Sequence, residues 1–317
     1  MERLRRYLPL GVGLAALAAL VLCPEAAASS ARAGLRLCAE MLAPSLLPFF
    51  VLSGLLRLMG LPGALGRIAE PVTARLFGLS GAGASAMLLG LTGGYPLGAA
   101  MVGSLTRDGQ MDPDEAGRVL GFVNNSGPAF LIGAAGTGIF QDRILGVKLY
   151  LTHVLAAILL GVLLTPARAR TPERERAAIR VLPLSEALPQ AVREATDAML
   201  TVCGFAVAFS VLTGLLDAAG WLSALAASLA QVFSTTPQFC RALLMGVMEL
   251  GSGVGAMQGL PATKENAALA AFLIGFGGVS VHCQTAAVLA GTGVKRKKHF
   301  WARLLHGILA AAMMLTG

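Results

Sequence analysis

The sequence predicts an all-α, polytopic membrane protein of two inverted-topology repeats, each with a re-entrant helical hairpin and a broken transmembrane helix. Three observations carry this reading. There are apolar runs of membrane-crossing length, further apolar stretches interrupted in their middles by Gly and Pro, and a series of segments that the chain runs through twice. Of 317 residues, 56% are hydrophobic and 13% charged, about half the charged share of a soluble domain. The apolar residues come in runs of about 20 rather than in one-sided stripes, so lipid is the expected solvent.

Five uninterrupted spans are predicted at residues 7–23, 41–59, 144–164, 196–216 and 299–315, each near the length a helix needs to cross about 30 Å of hydrocarbon. The first follows Arg3, Arg5 and Arg6 and ends near the Ala-rich residues 26–29, a signal-peptide-like pattern. We read it as an uncleaved span, because the rest of the chain is also membrane-embedded. Short surface helices are expected at 61–79 and 221–233.

Four other apolar stretches are broken, at residues 87–98, 121–130, 245–255 and 274–284. Gly and Pro at that density interrupt a helix and free N–H and C=O groups that hydrocarbon cannot satisfy, so such backbone belongs inside protein or beside a water-filled cavity. The segments repeat at an offset of about 155 residues: the stretch at Leu52 recurs at Leu212, the break at Gly90 near Gly246, and His153 at His306. The division expected is an N-terminal helix and linker (1–35), a first repeat (36–165), a basic cytoplasmic connector (166–193) and a second, inverted repeat (194–317). With a cytoplasmic N-terminus and hairpins that re-enter, nineteen of the 25 Lys and Arg fall inside, Arg303 among them, as the positive-inside rule expects. Two halves inserted in opposite senses form the plan of inverted-repeat carriers.

The segments Thr92-Gly93-Gly94-Tyr95-Pro96-Leu97-Gly98, Asn124-Asn125-Ser126-Gly127-Pro128 and the run from Phe276 to Gln284 resemble those of the YlbJ-type sporulation integral membrane proteins, which carry the nucleoside-recognition or Gate domain. The likeness covers roughly residues 35–317, and three motifs in the right order make it specific. It implies a repeat order similar to that of concentrative nucleoside transporters. It also implies movement of dipicolinate from the mother cell across the outer forespore membrane, where the protein is then expected. Neither implication comes from composition or spacing.

The breaks supply the candidate substrate-binding residues. Asn124, Asn125 and Ser126 offer amides and a hydroxyl beside freed backbone, where a half-helix terminus adds partial charge. Ser280, His282 and Gln284 project together if that stretch is extended; if it is helical, Ser280 and Gln284 share a face and His282 lies on another. Thr92, Gly93, Gly94 and Tyr95 form one hairpin tip and Gly251 with Ser252 its counterpart, Gly permitting close approach and Tyr95 an aromatic face for a planar ring. Glu249, an acid among Met, Leu and Gly, costs about 3 kcal/mol at mid-membrane and is the candidate for proton or ion coupling.

Other classes are set aside. The net charge of +8 is dispersed between spans rather than gathered on a nucleic-acid face. The five cysteines form no metal or disulfide pattern. Asp108, Asp112, Asp114 and Glu115 read as a loop and helix cap rather than a catalytic cluster, and GxG fragments lack the strand and helix of a dinucleotide fingerprint. No catalytic residue, metal or cofactor is expected, and no nucleotide motif would power transport, which leaves H+, Na+ or the solute's own gradient. The expected partners are lipid and a small planar anion, dipicolinate, with a nucleoside as the rival solute. A non-transporting scaffold is the rival from another class, and a homo-oligomer is compatible with either.

Overall fold

The computed structural model describes residues 2–165 and 181–317, and among them every regular element is a helix. Connector residues Arg168, Arg170, Arg174, Arg176 and Arg180 lie outside the described residues. Three helical stretches are long and apolar enough to cross a membrane, Arg143–Leu164, Leu184–Ala218 and Lys264–Val288, or up to five if two sharply bent pairs each count as one span. The outer surface carries large apolar side chains in number, including Val12, Leu17, Val21, Ile68, Leu151 and Leu200, as expected of a lipid-facing belt.

The N-terminal region departs from expectation. α1 (Glu2–Leu22) is followed not by a linker but by α2 (Pro24–Leu37), and the chain turns by 102° between them. Pro24 and Glu25 open α2 and the Ala-rich run propagates it, so the residues that resemble a cleavage site are good helix formers. A π-helical turn, Cys38–Leu42, joins it to α3 (Ala43–Leu58).

Each half then runs through the same order. In the first, Gly60 at φ 87° admits α4 (Leu61–Phe77). α5 (Gly81–Gly93), capped by Ser80, turns back into α6 (Leu97–Arg107). α7 (Pro113–Val123) begins where the Asp112 side chain accepts from the Asp114 and Glu115 amides, so Asp112 is a helix cap as expected, whereas Glu115 is buried and accepts from the Ser80 amide at 2.8 Å. Residues 124–128 break the chain before a π-helical run, Ala129–Ile139, and α8 (Arg143–Leu164) closes the half.

In the second half α9 (Leu184–Ala218) is 35 residues long, beginning within the stretch assigned to the connector. Gly220 at φ 76° admits α10 (Trp221–Val232), the counterpart of the Gly60 turn. α11 (Pro237–Met248) and α12 (Leu250–Gly255) form the second hairpin. α13 (Lys264–Phe276) and α14 (Gly278–Val288) meet at Gly277, whose φ of 88° ends the first of them, and α15 (Lys297–Thr316) is last. α15 has the expected length but is not among the candidate spans, because Arg303 and His306 sit in its interior.

Two apolar cores hold the helices, and the halves interlock across them. α9 buries Ala195, Met199 and Val202 among α3, α5, α6 and α7. α8 buries Leu145, Leu149 and Ala156 among α12, α13, α14 and α15. Backbones approach closely where glycines face one another: a Cβ on Gly275 of α13 would lie 2.6 Å from the Gly307 Cα of α15. Such contacts suit helices in lipid, where van der Waals packing rather than water exclusion drives association.

Candidate functional site

All four broken segments reach one cavity, the fourth through the helix that follows its break. Its wall takes Gly93, Gly94 and Tyr95 from the first, Ser126 and Gly127 from the second, and Glu249 with Gly251 from the third. Val281 and Gln284 come from the first turns after the fourth. Apolar residues from the π-turn, α3, the long π-helical run and α9 (Met41, Leu46, Phe130 and Val202) complete it. The volume open to water is about 50 Å³, enough for a few water molecules and too little for a ring acid. An aromatic side chain, several glycines and a few polar side chains in an apolar setting are the composition of a small-molecule site.

The predicted site residues divide. Gly93, Gly94, Tyr95, Ser126, Gly251, Gln284 and Glu249 line the cavity. Asn124 and Asn125 are fully buried beside it and act as fasteners. The Asn124 Oδ1 accepts from the Ala99 amide at 3.2 Å and its Nδ2 donates to the Thr285 hydroxyl at 3.0 Å, tying the first hairpin to α14. The Asn125 Nδ2 donates to the Phe122 carbonyl at 2.6 Å.

Thr92 faces outward with its hydroxyl donating to the Leu88 carbonyl at 3.0 Å, so it is not a cavity residue. Ser252 and Ser280 are also off the wall, Ser252 offering its amide to Glu249 and Ser280 its hydroxyl oxygen to the Gln284 amide at 3.2 Å. The α14 stretch is helical, so His282 takes the other face, packed between Phe276, His299 and Phe300. Glu249 caps α12: its carboxylate oxygens accept from the Gly251 amide at 2.9 Å and the Ser252 amide at 2.5 Å. Those two bonds satisfy an acid that is 5% exposed.

Arg303 requires a correction. Counted above with the charges flanking a span, it is instead 1% exposed at the centre of the molecule. One guanidinium nitrogen donates to the Asn125 Oδ1 at 3.2 Å and approaches the His306 Nδ1 at 2.9 Å. The other donates to the Tyr95 hydroxyl and the Gly275 carbonyl. Tyr95 in turn donates to the Ile274 carbonyl at 2.9 Å, and its ring lies 5.2 Å from the guanidinium carbon. The His153 and His306 rings lie 4.3 Å apart between centroids, tilted by 33°, with His153 accepting from the Ser126 amide at 3.1 Å. An arginine in the second turn of an apolar helix reads as an interfacial charge, and the signal to the contrary is the histidine three residues on, on the same face.

A second, wider space lies beyond the cavity. This vestibule, about 660 Å³, is walled by α6, α9, the end of α14 and the end of α3. Arg57 bridges Asp108 at 3.1 Å and Glu194 at 2.7 Å there, and Gln190, Asp197 and Thr201 continue the polar face of α9. Its lining residues Ala198 and Thr201 are about a helical turn or less from Val202 in the cavity wall, as Ala287 and Val288 are from Gln284.

Residues 39–173 match the nucleoside-recognition Gate family. The chain is 30% identical to the sporulation integral membrane protein YlbJ of Bacillus subtilis (strain 168), over 92% of this chain and 78% of the relative. No solved structure matches the chain.

Proposed function

The chain belongs to the family of sporulation integral membrane proteins that includes YlbJ, and from that premise we propose that it is a secondary carrier of a small planar anion, dipicolinate during spore formation. The observation that carries the reading is the meeting of four broken segments at one cavity, since unwound backbone inside a membrane protein is stable where it is buried in protein or faces water. The identical order of elements in the two halves supports an inverted-repeat plan. The cavity must widen to admit a ring acid, and alternating access supplies that widening when the hairpins move against α3, α8, α9 and α15. The vestibule is the approach from one side, which we assign to the cytoplasm with the N-terminus. The membrane is the outer forespore membrane, and no bond is made or broken in the solute.

Glu249 is the coupling group in this scheme. Its two cap bonds hold the tip of α12, and neutralising the carboxylate would weaken them and loosen the wall. An inward proton gradient is expected to accelerate uptake by the wild type and not by Glu249→Gln; equal acceleration of both would remove Glu249 from that role.

The test is uptake of labelled dipicolinate and uridine into proteoliposomes. Dipicolinate should enter, and Glu249→Ala and Asn125→Ala should cut the flux at least tenfold while the protein still inserts. The Gate description, nucleoside recognition, favours a nucleoside carrier as the second reading; entry of uridine alone selects it. Entry of neither, with both variants sustaining sporulation, would leave a scaffold.

A further inference from the structure

We infer that Arg303 is the group that recognises an anion in the four-break cavity, held back in this conformation by Tyr95 and Asn125. The inference rests on the carrier reading and names the chemistry of its solute: one or more carboxylates on a small, flat body.

The first support is an unbalanced charge. Among the described residues no ion pair involves Arg303, and the acceptors around its guanidinium are neutral: a phenol, an amide, a carbonyl and an imidazole. The geometry keeps both histidines neutral too. His306 spends its Nδ1 as the acceptor from Arg303 and approaches the His153 carbonyl through Nε2 at 3.1 Å. His153 spends its Nε2 accepting from the Ser126 amide, so its single proton sits on Nδ1. A fully buried cation without a counter-charge is costly in any protein interior and more so across a membrane.

The second support is a set of unmet polar atoms. Among the described residues, the buried side-chain nitrogens and oxygens without a partner are the Nε of Arg303, the Nδ1 of His153, and the Nε2 of His282 and of His299. The first two belong to this cluster, in a class of protein atoms that is nearly always paired.

The third support is position. Tyr95 and Ser126 belong to both the cluster and the cavity wall: the Tyr95 hydroxyl takes a bond from Arg303, and the Ser126 amide bonds His153. Tyr95 therefore stands between the cavity and the cation. When Tyr95 swings aside, a carboxylate oxygen replaces its hydroxyl as acceptor, and an ionised acceptor makes the stronger bond. Glu249, in the cavity lining, has both oxygens engaged by amides, whereas Arg303 lies behind Tyr95 and meets the solute only when that side chain moves.

Binding to the purified full-length protein in nanodiscs, at fixed ionic strength, tests this with two probes of one shape: dipicolinate and its uncharged diamide, pyridine-2,6-dicarboxamide. The wild type should prefer dipicolinate at least tenfold. Arg303→Gln should bring the ratio near one, Arg303→Lys should keep a preference with weaker binding, and Lys297→Gln, at an exposed position, should keep the wild-type ratio. If Arg303→Gln does not fold, the wild-type ratio and Arg303→Lys decide. A wild-type ratio near one, or a folded Arg303→Gln with the ratio unchanged, overturns the inference. Carriage of a neutral solute without anion preference would overturn it and leave the carrier reading standing. Anion preference without transport would do the reverse.

Discussion

Replacing Gly98 with alanine is expected to deprive the membrane of nearly all folded protein. Gly98 opens the second helix of the first hairpin, and an added Cβ would collide with the Val123 carbonyl oxygen and lie 2.7 Å from the Asn124 Cα. Across the same gap, a Cβ on Gly90 would meet the same carbonyl and lie 3.1 Å from the Gly98 Cα. Three backbones converge there, so no side-chain tip can yield; either the hairpin opens or the α7 break shifts. Overpacking of this kind costs about 3 kcal/mol or more when backbone must move. Gly253→Ala should act alike in the other hairpin, where the new atom would strike Gly246, whereas Gly255→Ala, with nothing within 4 Å, should be tolerated. Thermal unfolding of detergent-solubilised protein is the measurement, and a Gly98→Ala protein melting with the wild type would mean that the hairpin does not press on that carbonyl.

The second large effect is expected at Asn124. Changing it to leucine removes the acceptor of the Ala99 amide and the donor to Thr285 while keeping much of the volume. Each buried group left unpaired costs about 1–3 kcal/mol, so the two together should lower stability by about 2–6 kcal/mol. Adding Thr285→Val deletes one of the orphans and should recover about 1 kcal/mol, a coupling that a double-mutant cycle reads directly. Additive losses in the cycle would show that the amide does not bridge the hairpin and α14.

Why some of this was visible in the sequence and some was not follows from particular residues. The interruptions at Gly94, Asn124, Glu249 and Gly277 were legible because Gly and Pro punctuate a helix by local geometry. The surface helices after Gly60 and Gly220 were legible for the same reason. Residue type reveals the capacity for a hydrogen bond but not its partner, so Asn124 and Asn125 were read as ligands although their amides serve the chain itself. Arg303 was hidden by its place near the start of a span, where charge usually belongs to the interface. α2 was hidden by alanines that suit a leader and a helix equally. The extra length of α9 was hidden because its first ten residues are polar enough to pass for a connector, and they pack through Ala187 and Ala191 against Leu58.

The lodging of α9 in one core and α8 in the other has a mechanical consequence. Like two clasped hands, each half holds a rod of its twin in its own core, so neither can tilt without dragging that rod along. In the carrier proposed above, such gearing would keep the two doors from standing ajar together.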